Sequence, residues 1–203
     1  MSKLILVRHG ESEYNAKDLW TGWLDIPLSE KGKGEAQKAG ENIKDIKIDS
    51  VFVSDLIRSK QTWQEIARVL GLENLETIEA PEIKERDYGD FSGKNKLEIK
   101  KEYGDEQWHK WRRGWDEPIP NGETLKDVYN RVIPFYTTKI VPLLKQDKNV
   151  FLSAHGNSAR ALVKHLDNLS DKEIENLEIP TGTLYIYDID NEGKIINKEI
   201  RNV

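Results

Sequence analysis

Three short aliphatic runs constrain this chain more than any other feature: Leu4-Ile5-Leu6-Val7, Val51-Phe52-Val53 and Val150-Phe151-Leu152. Each is too short for a helix and lacks the alternation of a half-solvated strand, so each reads as a strand buried on both faces. Polar residues and then a helical pattern follow every one. That alternation predicts an α/β fold, a three-layer sandwich whose mostly parallel central sheet is flanked by helices.

The connecting segments carry their own signals. Ser29 is placed to cap a helix from Glu30 to about Lys44. Asp55 to Leu70 has helical apolar spacing and should stop at Gly71, a residue suited to the left-handed turn that ends helices. A further helix is expected from Asn157 to Leu166, with Ser170 capping another at Asp171-Lys172-Glu173. Between Thr124 and Lys145 a long stretch is apolar on one side, and Pro134 and Pro142 should kink or divide it. Thr183–Ile189 and Ile195–Ile200 alternate around the turn residues Asp190-Asn191-Glu192-Gly193, which predicts a C-terminal β-hairpin. No repeat or linker interrupts the pattern. Residues 1–203 are therefore expected to form a single domain, with one excursion at about 81–121 rich in Trp, Lys and Arg.

Composition narrows the partners. Lys+Arg number 31 against 36 Asp+Glu, a net charge of −5 that disfavours non-specific nucleic-acid binding. A local arginine cluster can still bind a small anion inside an acidic protein. With 0 cysteines there is no disulfide framework, thiolate metal site or cysteine nucleophile. Met1-Ser2-Lys3 and four aliphatic residues before Arg8 make neither a secretory signal nor a membrane span. The expectation is a soluble, cytoplasmic protein without membrane or nucleic-acid partners.

In open α/β sheets ligands bind beyond the C-terminal ends of the strands. The first run delivers Arg8-His9-Gly10-Glu11 there, the second Ser54-Asp55 with Arg58 one helical turn on, and the third Ala154-His155-Gly156-Asn157. A single strand-end histidine is usually structural. Two, each followed by glycine and joined by two arginines, suit phosphoryl transfer: a histidine held in one tautomer is a nucleophile toward phosphorus, and arginine forks hold the equatorial oxygens. A metal site built from His9, His155 and Glu85 is the sharpest rival. Arginines beside a divalent cation would be repelled, whereas beside a phosphate they are attracted, so no metal is expected.

These residues also carry a resemblance. Leu6-Val7-Arg8-His9-Gly10-Glu11-Ser12 and Ala154-His155-Gly156-Asn157-Ser158 resemble the two signatures of the histidine phosphatase superfamily. Thr21-Gly22-Trp23, Leu28-Ser29-Glu30-Lys31-Gly32, Glu85-Arg86-Asp87-Tyr88-Gly89, Asn95-Lys96, Tyr103-Gly104-Asp105-Glu106-Gln107, Trp111-Arg112-Arg113 and Ile179-Pro180-Thr181-Gly182 are similar, in order, to its cofactor-dependent phosphoglycerate mutase branch. The resemblance implies a phosphohistidine at His9, cradled by Arg8, Arg58, Asn15, His155 and the Gly156 N–H. Glu85 would be the general acid/base. Thr21, Gly22, Tyr88, Lys96, Arg112 and Arg113 would hold the substrate carboxylate and second phosphate, with Asn157 close by. The implied activity interconverts 3- and 2-phosphoglycerate by ping-pong transfer, primed by 2,3-bisphosphoglycerate, with a metal-free site and either a monomer or a homodimer.

Blander readings exist for several of these residues. Arg112-Arg113 between Trp111 and Trp115 would also suit an aromatic-basic nucleic-acid surface or a solvated helical face. Glu85-Arg86-Asp87 alone would be a surface charge run. Trp20, Trp23, Trp63 and Trp108 are expected to be packing residues, and His109 and His165 are given no role. A hydrolase of the same superfamily shares the histidines and arginines, and a catalytically dead binding module would not need all of them. The segment Trp115–Asn121 is brief and the chain stops at Val203, as in short members of the branch. Incomplete exclusion of water from the phosphohistidine follows, and with it an expected 2,3-bisphosphoglycerate phosphatase side activity.

Overall fold

The computed structural model describes residues 1–203. Six strands form one sheet: β1 (Ser2–Arg8), β2 (Ser50–Val53), β3 (Thr77–Glu79), β4 (Val150–Ala154), β5 (Leu184–Ile189) and β6 (Ile195–Arg201). Their order is β3-β2-β4-β1-β5-β6. The first four in that order run parallel, and β5 and β6 add the expected hairpin antiparallel to β1. β4 enters late in the chain between β2 and β1, so β1 and β4 are neighbours with Leu4 opposite Val150 and Arg8 opposite Ala154.

The period of two along each strand sorts the core into two layers. Leu4 and Leu6 of β1, Phe52 of β2 and Val150 and Leu152 of β4 face one layer. Ile5, Val7, Val51, Val53 and Phe151 face the other. The second layer is closed by α2 (Glu30–Glu41) and α3 (Ile57–Leu70), which follow α1 (Glu13–Ala16). On the opposite face lie α6 (Leu125–Phe135) and α8 (Gly156–Leu166). Burying one Leu, Ile or Phe is worth about 1.5–3 kcal/mol, so these strands are held by packing rather than by propensity.

Helix ends follow the sequence closely. Ser29 Oγ accepts from the Gly32 N–H at 3.1 Å, and α3 stops where Gly71 turns left-handed at φ 69°. Ser170 and Glu173 exchange hydrogen bonds, but the helix expected at Asp171-Lys172-Glu173 begins only at Glu173, as α9 (Glu173–Asn176), with Lys172 at its N-cap. Two further details differ. The strand Thr77–Glu79 was not expected, because its three residues are exposed at a sheet edge and carry no apolar run. The proline-bearing stretch is interrupted as expected, but by a π-helical turn (Tyr136–Ile140) between α6 and α7 (Val141–Leu144) rather than by a loop. The widened turn lies directly before Pro142, which has no N–H to give the Thr138 carbonyl.

The excursion builds its own small core. After short 3₁₀ turns, α4 (Lys96–Tyr103) and α5 (Asp105–Arg113) pack Ile99 and Trp111 with Trp20, Phe91 and Ile119. No helix is long and apolar enough to cross a membrane.

The loop after β1 is stitched to the start of α2. The Ser29 N–H donates to the Glu11 carbonyl at 2.9 Å, and a Cβ on Gly32 would overlap that same oxygen. Gly32→Ala is therefore expected to destabilise the fold by about 1–3 kcal/mol through overpacking. Urea unfolding checks this, and an unchanged midpoint would refute the close approach.

Candidate active site

The β1–β4 ladder runs one residue past β1, with the His9 N–H donating to the Ala154 carbonyl at 3.0 Å. This sets His9 and His155 side by side, ring centroids 4.9 Å apart and nearly edge-on. Nδ1 of His9 donates to the Gly10 carbonyl at 2.6 Å, which leaves Nε2 bare for attack. Nε2 of His155 meets Ser54 Oγ at 2.6 Å. That hydroxyl already accepts from the Leu56 N–H, so its own proton is free for Nε2, and the His155 ring proton belongs on Nδ1. Nδ1 is buried with no protein partner.

Burial, then the charge of Arg58, holds both imidazoles well below the usual 6.5. Both are neutral at pH 7, as a nucleophile and a neutral donor require. Arg8 gives Nη1 to the Ile179 carbonyl at 2.6 Å. Arg58 gives its terminal nitrogens to the carbonyls of Gly22 (2.7 Å) and Leu24 (2.9 Å). These anchors fix both forks while each Nε–H stays buried and unpaired. Burial pulls Arg58 down to about 10, still charged at neutral pH.

Glu85 stands opposite, at the positive end of α8. Its Oε2 accepts from the Gly156 N–H at 3.0 Å, and its Oε1 from the N–H of Arg86 and the backbone and side-chain amides of Asn157. The Gly156 donor expected at the phosphoryl site is thus engaged by this carboxylate. The carbonyl of Glu85 is fixed too, by the Trp23 indole N–H at 2.7 Å and Arg131 at 2.9 Å. Trp23 is 45% exposed, so the packing role expected of it is corrected: it holds the backbone of Glu85. Trp20 and Trp63 are buried as expected.

Every residue named from the sequence except the fully buried His155, whose ring lies against that of His9, lines one cleft. Asn15 caps α1 reciprocally with Ser12. Thr21 Oγ1 is buried without a partner. Gly22 sits at φ 54°, where a Cβ would press on Ser92 Oγ and the Tyr88 backbone. The Tyr88 hydroxyl accepts from Asn157 Nδ2 at 2.7 Å, and burial raises it, so it remains protonated. Elsewhere in the lining Lys96 pairs with Asp18 at 3.2 Å, Arg113 pairs with Glu178 at 2.8 Å, and Arg112 lies over the Trp108 ring. The excursion therefore brings three cations into the cleft, none of them among the charges that act on His9.

The rival metal set does converge, with ligand atoms of His9, Glu85 and His155 within 4.8 Å of one another. The Glu85 oxygens are already held by N–H donors, and the charges of Arg8 and Arg58 act on both histidines. That environment favours an anion. The cleft also contains Arg160, which the sequence reading missed. It lies three residues after Asn157 on α8, so helical spacing alone would have put it on the same face.

A family model, the histidine phosphatase superfamily (branch 1), matches residues 4–200. This chain belongs to that superfamily. Among the relatives of this histidine phosphatase superfamily member, a Chelativorans sp. protein named 2,3-bisphosphoglycerate-dependent phosphoglycerate mutase is 50% identical over 97% of both chains. A Schizosaccharomyces pombe phosphoglycerate mutase is 45% identical, over 97% of this chain and 94% of its own. A solved mycobacterial glucosyl-3-phosphoglycerate phosphatase has a TM-score of 0.83 at 24% identity, covering 100% of both chains. At that identity the likeness speaks to the fold alone.

The lowered histidines of this superfamily member set a pH dependence. In the unfolded chain a histidine protonates as pH falls through about 6.5, while in the fold His9 and His155 protonate only further down. The unfolded state then binds more protons, so stability is full above about 6.5 and declines as pH drops below it. NMR titration of the two rings checks the cause. A midpoint at or above 6.5 for either would contradict it.

Proposed function

We propose that this chain interconverts 3-phosphoglycerate and 2-phosphoglycerate through a phosphohistidine at His9. The observation that carries the reading is the two-ended charge of the cleft. Arg8 and Arg58, each with an unpaired Nε–H, act on His9, while Lys96, Arg112 and Arg113 line the same cleft and are not among the charges acting on it. A monophosphoglycerate bears a phosphate at one end and a carboxylate at the other, so it needs cations at both. The names of the close relatives agree.

The residues supply the steps. Nε2 of His9 forms the bond to phosphorus as the P–O bond to the donor breaks, and a proton from the Glu85 carboxyl goes to the departing oxygen. The Nε–H groups of Arg8 and Arg58, Nδ1–H of His155 and the Asn15 amide stabilise the equatorial oxygens. In the return step Glu85, as carboxylate, takes the proton of the substrate hydroxyl while that oxygen attacks the phosphohistidine. 2,3-Bisphosphoglycerate supplies the priming phosphoryl group, and the buried, unpaired donors fit such an anion. Tyr88, Thr21, Gly22 and Asn157 shape the cleft between its ends. In this reading the chain acts as one domain, its 81–121 excursion covers the substrate, and no metal takes part. The interconversion belongs to glycolysis and gluconeogenesis, which fits a cytoplasmic protein.

The assay is conversion of 3- to 2-phosphoglycerate in EDTA, with and without trace 2,3-bisphosphoglycerate, following phosphate release in the same tube. Expected is isomerisation that depends on the bisphosphate and survives the chelator, with slower phosphate release. Phosphate release without isomerisation would move the chain to the phosphatases of the superfamily. His9→Ala should abolish both reactions, and Glu85→Gln should slow transfer about 10²–10⁴-fold. An unchanged rate in either variant removes that residue from its role.

A further inference from the structure

Arg160 is buried on α8, yet its four hydrogen-bonding partners are all neutral oxygens. Nη1 donates to Asn157 Oδ1 at 2.9 Å and to the Arg112 carbonyl at 3.5 Å. Nη2 donates to the carbonyls of Arg113 (2.9 Å) and Ile174 (2.7 Å). Removing a guanidinium from water without a carboxylate partner is costly, and an apolar side chain could fill the same volume. What the fork does that packing cannot is join two parts of the cleft.

One part is the end of α5. Arg112 and Arg113 are its last residues, their carbonyls have no further helical partners, and a cation there satisfies both the hydrogen bonds and the helix dipole. The other part is the Asn157 amide. An asparagine amide can present either its oxygen or its NH₂ to a neighbour, and the hydrogen-bond network decides which. With Oδ1 taken by Arg160, Nδ2 must face Glu85 Oε1 at 3.1 Å and Tyr88 Oη at 2.7 Å. Without Arg160 the buried Oδ1 loses its donor and the amide loses the anchor that holds Nδ2 on the carboxylate.

We infer that Arg160 is a positioning residue: it locks the Asn157 amide so that Glu85 is held in line, and ties that alignment to the helix end carrying Arg112 and Arg113. The inference rests on the proposed role of Glu85. It goes further in assigning a task to a residue that touches neither the nucleophile nor the proton in flight. Substrate held by the side chains of Arg112 and Arg113 is thereby registered, through their own carbonyls, against the acid/base group.

The test is a double-mutant cycle on kcat and KM with Arg160→Met, Asn157→Ala and the pair. Because a misplacement near 1 Å costs about 10²-fold in rate, Arg160→Met is expected to lower kcat by about that factor with KM nearly unchanged. The double variant should be no slower than Asn157→Ala, since coupled residues are not additive. Effects that multiply, or a raised KM with normal kcat, would overturn the inference and make Arg160 a direct substrate contact. Arg160→Lys keeps the charge but cannot bridge both parts, and serves if the Met variant does not fold. It should remain slow, with the Asn157 side-chain amide resonances shifted in the ¹⁵N spectrum, and wild-type kcat with unshifted resonances would refute the link. If the wild-type chain releases phosphate without isomerising, the mutase reading fails on its own, and the same cycle is read on phosphate release.

Discussion

Everything at the site hangs on the pairing of β1 with β4. Their parallel register places Arg8 beside Ala154, so the next residue of each chain segment is a histidine. Parallel neighbours point the same end of both strands at the same edge, and the two rings arrive 4.9 Å apart without any local motif joining them. The order in which strands enter the sheet makes this happen. Because β4 comes last of the parallel strands yet sits between β2 and β1, Ser54 at the end of β2 reaches His155 from the other side. A one-residue slip of β4 would move its apolar side chains to the wrong layer, so burial of Val150 and Leu152 enforces the histidine geometry as a by-product.

Burial then does the electrostatic work. A chain of net charge −5 keeps Arg8, Arg58, Arg86 and Arg160 largely out of water around one cleft, mostly through bonds to backbone carbonyls. Carbonyl anchors leave the positive charge uncancelled, unlike carboxylate partners. That retained charge and the dry surroundings keep both histidines neutral. The one buried carboxylate that faces them, Glu85, is paired with the N–H groups opening α8 rather than with a guanidinium. The cations therefore remain unneutralised for an incoming anion.

The strands, the capped helices and the strand-end cluster were legible because each rests on local chemistry: an aliphatic run, a capping serine, a histidine next to glycine. β3 was not, since three exposed residues gain their strand conformation only from hydrogen bonds to β2. The proline stretch was legible as an interrupted helix, but its continuation past Pro142 rests on Ile140 and Leu144, buried in the core. Trp23 looked like core because tryptophan usually is, and only the position of the Glu85 carbonyl reveals its use. Arg160 was hidden for the opposite reason. Three of its four partners are backbone carbonyls, so its only sequence signal was its spacing from Asn157 on α8.

The excursion explains how such a buried site can still exchange ligand. Its core holds Trp20, Phe91, Ile99, Trp111 and Ile119, far less apolar surface than either layer against the sheet. Local stability follows buried apolar contact, so α4 and α5 are held less firmly than the buried strands β1, β2 and β4. Yet the same helices bring Lys96, Arg112 and Arg113, the cations needed to close over an anion. Weak packing and high charge thus belong together. Arg86, whose guanidinium bonds the carbonyls of Trp111, Glu117 and Glu123, makes the hinge side of this segment continuous with the backbone that carries Glu85. One buried guanidinium thus joins the excursion to the backbone of Glu85.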